Sequence, residues 1–303
     1  MANNSSSKWF WGILIGIFFI GMVFTGVCLL VFATAIKYSG EYTSRGSGDK
    51  IAVVEINDVI MSSEKWVDQI KKYRDDKSIK AIILRINSPG GGVAASQEIY
   101  DEVRKTRDSG KIIVVSMGSI AASGGYYIAV GSSLIVANPG TLTGSIGVIL
   151  SITNFKDLAD KLGIKQNTIK SGELKDAGNP FRDMNEKDKA YFQDVVDNSF
   201  GQFLDVVAKE RKMNIDSLRQ YANGRVFTGL QAKQIGLIDS LGTFEDAVRI
   251  TSKMAGIEGE PRIIRERKKF SIFEKLIGAT AEDITGIREK LFEEPILQYK
   301  FVP

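Results

Sequence analysis

Apolar positions divide the chain into one long continuous run and a series of short runs that alternate with amphipathic stretches. Residues 9–36 contain no charged residue, and about 20 apolar residues are enough to cross the hydrocarbon core of a bilayer. The pattern predicts one N-terminal transmembrane helix over 9–36, after a short segment at 1–8. The alternative is a cleaved signal peptide, since residues 33–35 (Ala-Thr-Ala) resemble a small-residue cleavage site, although the apolar part of such peptides is much shorter.

Beyond a Gly-, Ser- and charge-rich linker at 37–50, strand and helix patterns alternate along the chain. Short β-branched runs predict strands at 51–56, 81–86, 112–115, 134–137 and 146–152. Three- and four-residue apolar spacing predicts helices at 62–76, 93–107, 123–130, 155–162, 184–212 and 244–255. This order predicts an α/β domain with a mainly parallel sheet.

The end of the chain, residues 261–303, is basic and helical in places by pattern. Its cluster of cations comprises Arg262, Arg265, Arg267, Lys268 and Lys269. The cluster forms either a solvated face or a contact with anionic lipid headgroups.

Composition limits the function more than it specifies it. The 303 residues suit one globular domain plus a membrane element, and a formal charge of +4 with no recognisable binding motif gives no reason to expect nucleic acid. The single cysteine, Cys28, lies inside the apolar run, so the globular part contains no disulfide. The charges that flank the apolar run do not decide which side of a membrane the domain occupies.

Two glycine-rich segments each follow a predicted strand and precede a predicted helix. They are Ser88-Pro89-Gly90-Gly91-Gly92 and Ser123-Gly124-Gly125. Backbone N–H groups at such turns can converge on a developing oxyanion, and Ser123 would lie at a helix N-terminus. The alternatives are an ordinary turn at the first segment and a plain N-cap serine at the second.

The chain contains no histidine, which restricts how a serine hydroxyl could be activated. A serine is a weak nucleophile unless a neighbouring base removes its proton, and a lysine of lowered pKa can serve. The segment 169–180 offers Lys170 and Lys175 near glycines. The residues alone do not choose between them, and any one lysine is by default a surface charge.

Ordered motifs over residues 50–260 resemble the signal peptide peptidase A family, which comprises membrane-anchored Ser/Lys endopeptidases of the Clp/crotonase superfamily. The motifs are INSPGG at 86–91, SIAASGGYY at 119–127, GTLTGSIG at 140–147, KSG with KDAG at 170–178, and GRVFTG at 224–229. The resemblance implies a Clp/crotonase-like α/β fold of repeated ββα superhelical units at 51–260, with a C-terminal extension at 261–303.

The resemblance also implies a role for individual residues. Ser123 would be the nucleophile, Lys175 the general base, and Ser145 the hydroxyl that orients the lysine amine. The amides of Gly91 and Gly124 would form the oxyanion hole, with Gly90 as the alternative to Gly91.

Further expectations concern partners and location. The family's substrates are remnant signal peptides and other unfolded hydrophobic segments, and its members form rings in which neighbouring subunits share each Ser/Lys pair. No cofactor or metal is expected. The chain would be a single-pass membrane protein with its catalytic domain outside the cytoplasm and in contact with membrane lipid.

Other readings of the same residues stay open. One alternative is a membrane protease of the stomatin-operon type, which also uses a Ser/Lys pair. A second is a crotonase-type acyl-CoA enzyme, which would use glutamates as acid and base. A third is an inactive scaffold that would only bind peptides or membrane partners. A Ser/His/Asp protease is excluded by the missing histidine. Residues 126–128 are expected in the core or in a substrate pocket, and the apolar tail 299–303 is either a disordered or packing tail or the occupant of a peptide groove.

Overall fold

The computed structural model describes residues 5–37, 42–43, 48–266 and 298–301. The chain begins with helix α1, Ser5–Lys37, whose side chains are described at Trp9 and at residues 11–27, where all of them are exposed. A search of the described residues identifies no helix that is long and apolar enough to cross a membrane.

One nine-stranded sheet forms the centre of the domain, with the order β1-β10-β2-β3-β5-β6-β9. Its central pairs are parallel, as the alternating pattern predicts. β7 extends the end of β5 in parallel and pairs with β8 in antiparallel orientation. The strands are β1 Tyr42–Thr43, β2 Lys50–Asn57, β3 Ile79–Ser88, β4 Gly90–Gly92, β5 Ile112–Ala122, β6 Leu134–Ala137, β7 Leu142–Gly144, β8 Val226–Thr228, β9 Ser240–Leu241, β10 Arg262–Arg265 and β11 Gln298–Lys300.

Helices cover both faces of this sheet. They are α2 Glu64–Asp75, α3 Val93–Asp108, α4 Gly124–Ala129, α5 Lys156–Lys161, α6 Glu186–Arg211, α7 Ile215–Arg219, α8 Gly229–Gln234 and α9 Phe244–Met254, with a 3₁₀ turn at Glu173–Asp176. The long helix α6 begins with a capping box, in which the Asn185 side chain accepts from the Asp188 amide and the Asp188 carboxylate accepts from the Asn185 amide.

The alternation of side chains along the buried strands divides the core into two layers. In β2, Ala52, Val54 and Ile56 belong to the large cluster that also contains residues of α2, α3, α4 and α6, whereas Ile51 and Val53 pack on the other face with Val248 of α9. Because both faces are covered, β2, β3 and β5 are nearly continuous apolar runs, as is typical of parallel sheets.

One expectation from the sequence needs correction. The strand expected at 146–152 does not form: the strand lies earlier, at β7, and only Ile149 makes an isolated bridge, to Gln298. Within this range Ile146 is buried in the main core and Val148 packs against it, whereas Ile149 is 37% exposed.

The described parts of the chain end are strands: β10 pairs in parallel with β2, and β11 pairs with β4. Arg262 and Arg265 therefore lie on a sheet strand. The helix expected in places over 261–303 falls mostly on residues 267–297, which lie outside the described residues, and it stays a prediction. The other three members of the basic cluster, at 267–269, lie outside the described residues. Tyr42–Thr43 of the expected linker forms β1 at the sheet edge.

Candidate active site

Ser123 lies at the sharp turn between the end of β5 and the start of α4. Its amide donates to the carbonyl oxygen of Gly144 at 2.7 Å, and its carbonyl oxygen accepts from the amide of Tyr127 at 2.8 Å. The backbone has φ 53° and ψ −116°, a conformation that is uncommon for a residue other than glycine and that concentrates at functional sites. The sheet and the helix together hold the serine in this strained turn.

The Ser123 hydroxyl is available for chemistry. The residue is 1% exposed, its side chain makes no capping bond to α4, and its Oγ has no hydrogen-bond partner among the described residues. A plain N-cap serine would bond an amide of the first turn, so that interpretation of Ser123 is wrong. An unpartnered hydroxyl costs free energy when it is buried, and such atoms call for a functional explanation.

The glycine turn at 88–92 lies beside Ser123, and the amides of its outer two glycines already have hydrogen-bond partners. The Gly90 amide donates to Ser88 Oγ at 3.1 Å, and the Gly92 amide donates to the carbonyl oxygen of Ile60 at 2.8 Å. Because N–H groups alternate between the two sides of an extended segment, the Gly91 amide points away from Ile60. Of the two alternatives at this turn, Gly91 is thus the one whose amide can face the site.

The glycines of the two turns approach each other closely. A Cβ on Gly124 would lie 3.2 Å from the Gly91 nitrogen and 2.5 Å from Ser96 Oγ, and a Cβ on Gly90 would lie 2.7 Å from the Gly124 nitrogen. Gly124 is the first residue of α4, where amides have no partner within the helix. The amides of Gly91 and Gly124 therefore border one small space next to Ser123.

Ser145 follows Gly144 directly and is the neighbour of Ser123 across the β5–β7 pairing, which includes Ala122 and Gly144. It is 5% exposed, it has a positive φ of 50°, and its amide donates to the carbonyl oxygen of Arg225 at 2.8 Å. Two serines in left-handed backbone conformations thus lie side by side at the end of the sheet.

Lys175 is placed differently from the other expected residues. It lies in the exposed 3₁₀ turn Glu173–Asp176, and within the described residues its side chain makes neither a hydrogen bond nor an ion pair. Ser123 Oγ has no partner there. The structure therefore brings Ser123, Ser145, Gly91 and Gly124 together but leaves Lys175 out of contact with Ser123 within one chain.

Lys170, the other candidate lysine, is fully engaged. Its Nζ donates to the Glu173 carbonyl oxygen at 2.9 Å and to Asp176 Oδ1 at 2.6 Å. Asp176 also accepts from Arg182 Nε at 3.1 Å, and the two cations lower the pKa of the Asp176 carboxyl to about 2, the Arg182 hydrogen bond being the largest cause.

Arg182 joins this turn to helix α6, which sequence reasoning did not foresee. Its guanidinium also donates to Asp188 at 2.5 Å, and this bond lowers the pKa of the Asp188 carboxyl. Nothing in the local sequence marks this arginine, because the contact depends on how the loop folds back onto the start of α6.

The segment that carries Lys175 exposes large apolar side chains. Ile169 is fully exposed, and Leu162, Leu158 and Ile164 are each more than half exposed. Exposed apolar patches of this kind mark surfaces that contact another protein or a membrane.

The described tail, residues 298–301, also lies at this site. β11 pairs in antiparallel orientation with the glycine strand β4, with Tyr299 opposite Gly91. The Tyr299 ring stacks on Tyr127 with centroids 5.1 Å apart. Tyr126, Tyr127 and Ile128 are all buried in the main core, and the Tyr127 ring in addition contacts the tail through Tyr299.

Comparison with known proteins identifies the family. Residues 105–258 match peptidase family S49, and residues 49–137 match Clp protease. The chain belongs to peptidase family S49. It is a serine protease with a Clp-protease-like α/β domain, and members of this family act on peptides.

Three relatives from this comparison differ in how much of their length the chain covers. A protein of Synechocystis named "Putative protease" is 42% identical over 69% of this chain and 76% of its own length. The "Putative signal peptide peptidase SppA" of Enterococcus faecium is 38% identical over 67% of this chain and 62% of its own length. "Protease 4" of Salmonella typhi is 36% identical, but the match spans only 36% of that protein.

Proposed function

We propose that this S49 chain is an endopeptidase in which Ser123 is the nucleophile and Lys175 the general base. The observation that carries the proposal is the Ser123 hydroxyl, which is buried, has no hydrogen-bond partner in the described part of the chain, and is held at a strained turn beside the amides of Gly91 and Gly124. With no histidine in the chain, a lysine is the base that fits the chemistry.

The reaction follows from this arrangement. A neutral Lys175 takes the Ser123 proton, the alkoxide attacks the carbonyl carbon of the peptide, and the amides of Gly91 and Gly124 stabilise the oxyanion. Lys175 then gives the proton to the departing amine, and water hydrolyses the acyl-enzyme. Ser145, the neighbour of Ser123, holds the lysine amine in line during these transfers.

Lys175 reaches Ser123 from a neighbouring subunit in this proposal. Three features of the described residues support it: Lys175 is exposed and its side chain makes no hydrogen bond or ion pair there, Ser123 Oγ has no hydrogen-bond partner there, and the segment around Lys175 exposes apolar side chains such as Ile169. A symmetric ring in which each subunit supplies a lysine to the next would cover these side chains and complete every site.

The substrates proposed are remnant signal peptides and other unfolded hydrophobic segments. The site holds an extended strand beside β4, as β11 illustrates, and a peptide without a fixed fold can adopt this extended form. Helix α1, with no charge over residues 9–36, is the proposed membrane anchor, which would keep the catalytic domain near peptides left in the bilayer, outside the cytoplasm.

The test is hydrolysis of a fluorogenic peptide derived from a signal sequence, by the full chain in detergent micelles, with a folded globular protein as comparison. We expect turnover of the peptide alone and covalent labelling of Ser123 by a fluorophosphonate. If the assembled protein binds the peptide but neither cleaves it nor reacts with the probe, the chain is a peptide-binding scaffold and the proposal is wrong.

The anchor has a separate test. When the full chain is expressed in bacteria and the membranes are washed with alkaline carbonate, it should stay in the pellet, and a chain lacking residues 1–40 should not. Release of the full chain by carbonate would contradict the proposed membrane anchor but would not bear on the proposed peptidase activity.

A further inference from the structure

Segment 58–60 and the glycine turn 88–92 are joined by backbone hydrogen bonds at the active site. The Ile60 amide donates to the Gly90 carbonyl oxygen at 2.9 Å, and the Gly92 amide donates to the Ile60 carbonyl oxygen at 2.8 Å. These two bonds determine how the peptide groups of the glycine turn are oriented.

The orientation of the Gly91 amide depends on the first of these bonds. In a planar trans peptide group the C=O and the N–H point in opposite directions. The C=O of Gly90 points to Ile60, so the N–H of Gly91 in the same peptide group points the other way, toward the space beside Ser123. Any change in how Gly90 is held would therefore turn the Gly91 amide away from a developing oxyanion.

The side chain of Ser88 connects the two segments at a second point. Its hydroxyl donates to the carbonyl oxygen of Asp58 at 2.5 Å and accepts from the amide of Gly90 at 3.1 Å. Ser88 is 0% exposed, so solvent does not compete for either bond. One hydroxyl thereby links the segment that carries Ile60 to the glycine that precedes Gly91.

The backbone of Asp58 adopts a strained conformation at this link. Its φ of 63° is uncommon for a residue other than glycine, and such a conformation persists only where the surrounding structure holds it. The Asp58 amide donates to the Asn87 carbonyl oxygen at 3.2 Å, and its carbonyl oxygen accepts from Ser88. Ser88 therefore supplies one of the two bonds that hold this turn.

Ser88 also lies against the turn of the nucleophile. It pairs with Ala121 of β5, two residues before Ser123. A Cβ on Gly125 would lie 3.0 Å from the Ser88 carbonyl oxygen. A shift of the backbone at Ser88 would thus change the spacing between the two glycine-rich turns.

We propose that Ser88 is a positioning residue of the peptidase, whose hydroxyl holds the Gly91 amide in the orientation that stabilises the oxyanion. The inference rests on the proposed peptidase function. Ser88 acts through Asp58 and Gly90 rather than by contact with the peptide. Without the hydroxyl, the Gly90 amide loses its partner, and a glycine at φ 102° is free to rotate, so the Gly91 N–H is no longer fixed.

The first experiment compares Ser88→Ala with the wild type in steady-state hydrolysis of a signal-sequence peptide by the full chain in micelles. An amide that acts in the transition state affects kcat more than KM. We expect kcat per folded chain to fall roughly 10- to 100-fold, somewhat less than on loss of an oxyanion donor itself, while KM stays within about twofold. Wild-type kcat in folded Ser88→Ala would overturn the proposal. No cleavage by the wild type would contradict the peptidase function as well.

Inhibition by a peptide boronic acid gives a readout that a merely structural role would not change. Ser123 Oγ bonds to the boron and its proton passes to the base, which leaves a tetrahedral boron with an oxygen at the oxyanion position. Such a transition-state analogue should lose affinity for Ser88→Ala by about the factor by which kcat/KM falls. Unchanged inhibition together with a lowered kcat would contradict a role of Ser88 in the oxyanion hole.

Ser132→Ala is the matched control, because it also removes a buried hydroxyl that donates to a backbone carbonyl oxygen, that of Ala129 at 2.8 Å. It should keep wild-type kcat, and an equal loss in both variants would mean that general destabilisation is the cause. Ser88→Cys covers the case in which Ser88→Ala does not fold, since a thiol has a similar shape but bonds weakly. Its kcat should fall roughly three- to tenfold, and wild-type kcat in folded Ser88→Cys would also overturn the proposal.

Discussion

The amide of Ser123 donates to the carbonyl oxygen of Gly144 at 2.7 Å, one residue beyond the β5–β7 pairing of Ala122 with Gly144. This bond fixes the turn in which Ser123 adopts a positive φ, and it sets Ser145 directly beside the nucleophile. The sheet thereby positions both serines, and helix α4 begins with the amide of Gly124 in place to stabilise an oxyanion.

Gly124 lies so close to the glycine turn at 88–92 that a methyl group at this position, as in Gly124→Ala, should lower kcat. In Gly124→Ala the Cβ would press on Ser96 Oγ and on the Gly91 nitrogen, which displaces an oxyanion donor. We expect kcat to fall about 10²–10³-fold, the usual effect of losing one such donor, as measured by steady-state peptide hydrolysis.

Gly140→Ala is the control for this substitution, since a Cβ on Gly140 meets nothing within 4 Å. It should keep wild-type kcat. Both variants should show the same far-UV circular dichroism as the wild type. A Gly124→Ala variant with undiminished kcat would mean that this amide has no part in catalysis.

Sharing of the dyad between subunits predicts complementation by mixing. Ser123→Ala and Lys175→Ala should each be inactive alone. When the two are dissociated, mixed in equal amounts and reassembled, about a quarter of the sites regain both groups by random placement in a cyclic ring. Peptide turnover measures this, and a mixed assembly without activity would place the base within the same chain as Ser123.

Because the tail strand β11 occupies the groove beside β4, removing the tail should allow an added peptide substrate to bind more tightly. Truncation after Pro295 deletes β11 and its bonds to Pro89 and Ile149, so KM for a peptide substrate should fall while kcat stays the same. Initial-rate kinetics of the truncated chain, compared with the full-length wild type, provide the measurement. An unchanged KM would show that the tail does not compete with substrate.

Arg182 is expected to hold the Lys175 turn in place. Arg182→Gln removes its bonds to Asp176 and Asp188, so kcat/KM should fall. The thermal midpoint should fall as well, because the Asp188 side chain is 1% exposed and loses its cation. Lys187→Gln is the control: it breaks the more exposed pair with Glu173 in the same region and should leave kcat/KM unaltered. Equal losses in both variants would argue against a specific role for Arg182.

The same network predicts how the turn responds to acid. The pKa of Asp176 is lowered to about 2 from 3.8 by Arg182 and Lys170, so its contribution to stability is present above about pH 4 and is lost as the pH falls toward about 2. Amide-exchange protection of residues 172–178 should persist at pH 5 and decline toward pH 2. In Arg182→Gln the decline should begin at a higher pH.

The α/β architecture could be predicted from the sequence because the patterns that indicate strands and helices lie within single stretches of chain. The buried runs of β2, β3 and β5 and the periodicity of α6 follow from side-chain spacing along one stretch of chain. The glycine turns around Gly91 and Ser123 were also visible, since close backbone approach requires glycine.

Contacts between distant segments escaped prediction. The pairing of Gln298 with Ile149, the ion pair of Arg182 with Asp188, and the ring contact of Phe203 with Tyr299 each join residues from separate elements, and no local pattern encodes them. The separation of Lys175 from Ser123 within one chain agrees with the family resemblance, which implies a pair shared between subunits, but no pattern in the residues themselves encodes it.

The central claim is that Ser123 and Lys175 act as one dyad, and matched lysine variants test it most directly. Peptide hydrolysis by the assembled full chain should be compared for the wild type, Ser123→Ala, Lys175→Ala and Lys170→Ala, across pH 6–10. The account predicts that kcat falls by about 10³-fold or more in the first two variants. Lys170→Ala, which removes only a partner of Asp176, should retain most of the activity. Wild-type turnover by Lys175→Ala, or inactivation by Lys170→Ala alone, would contradict the account.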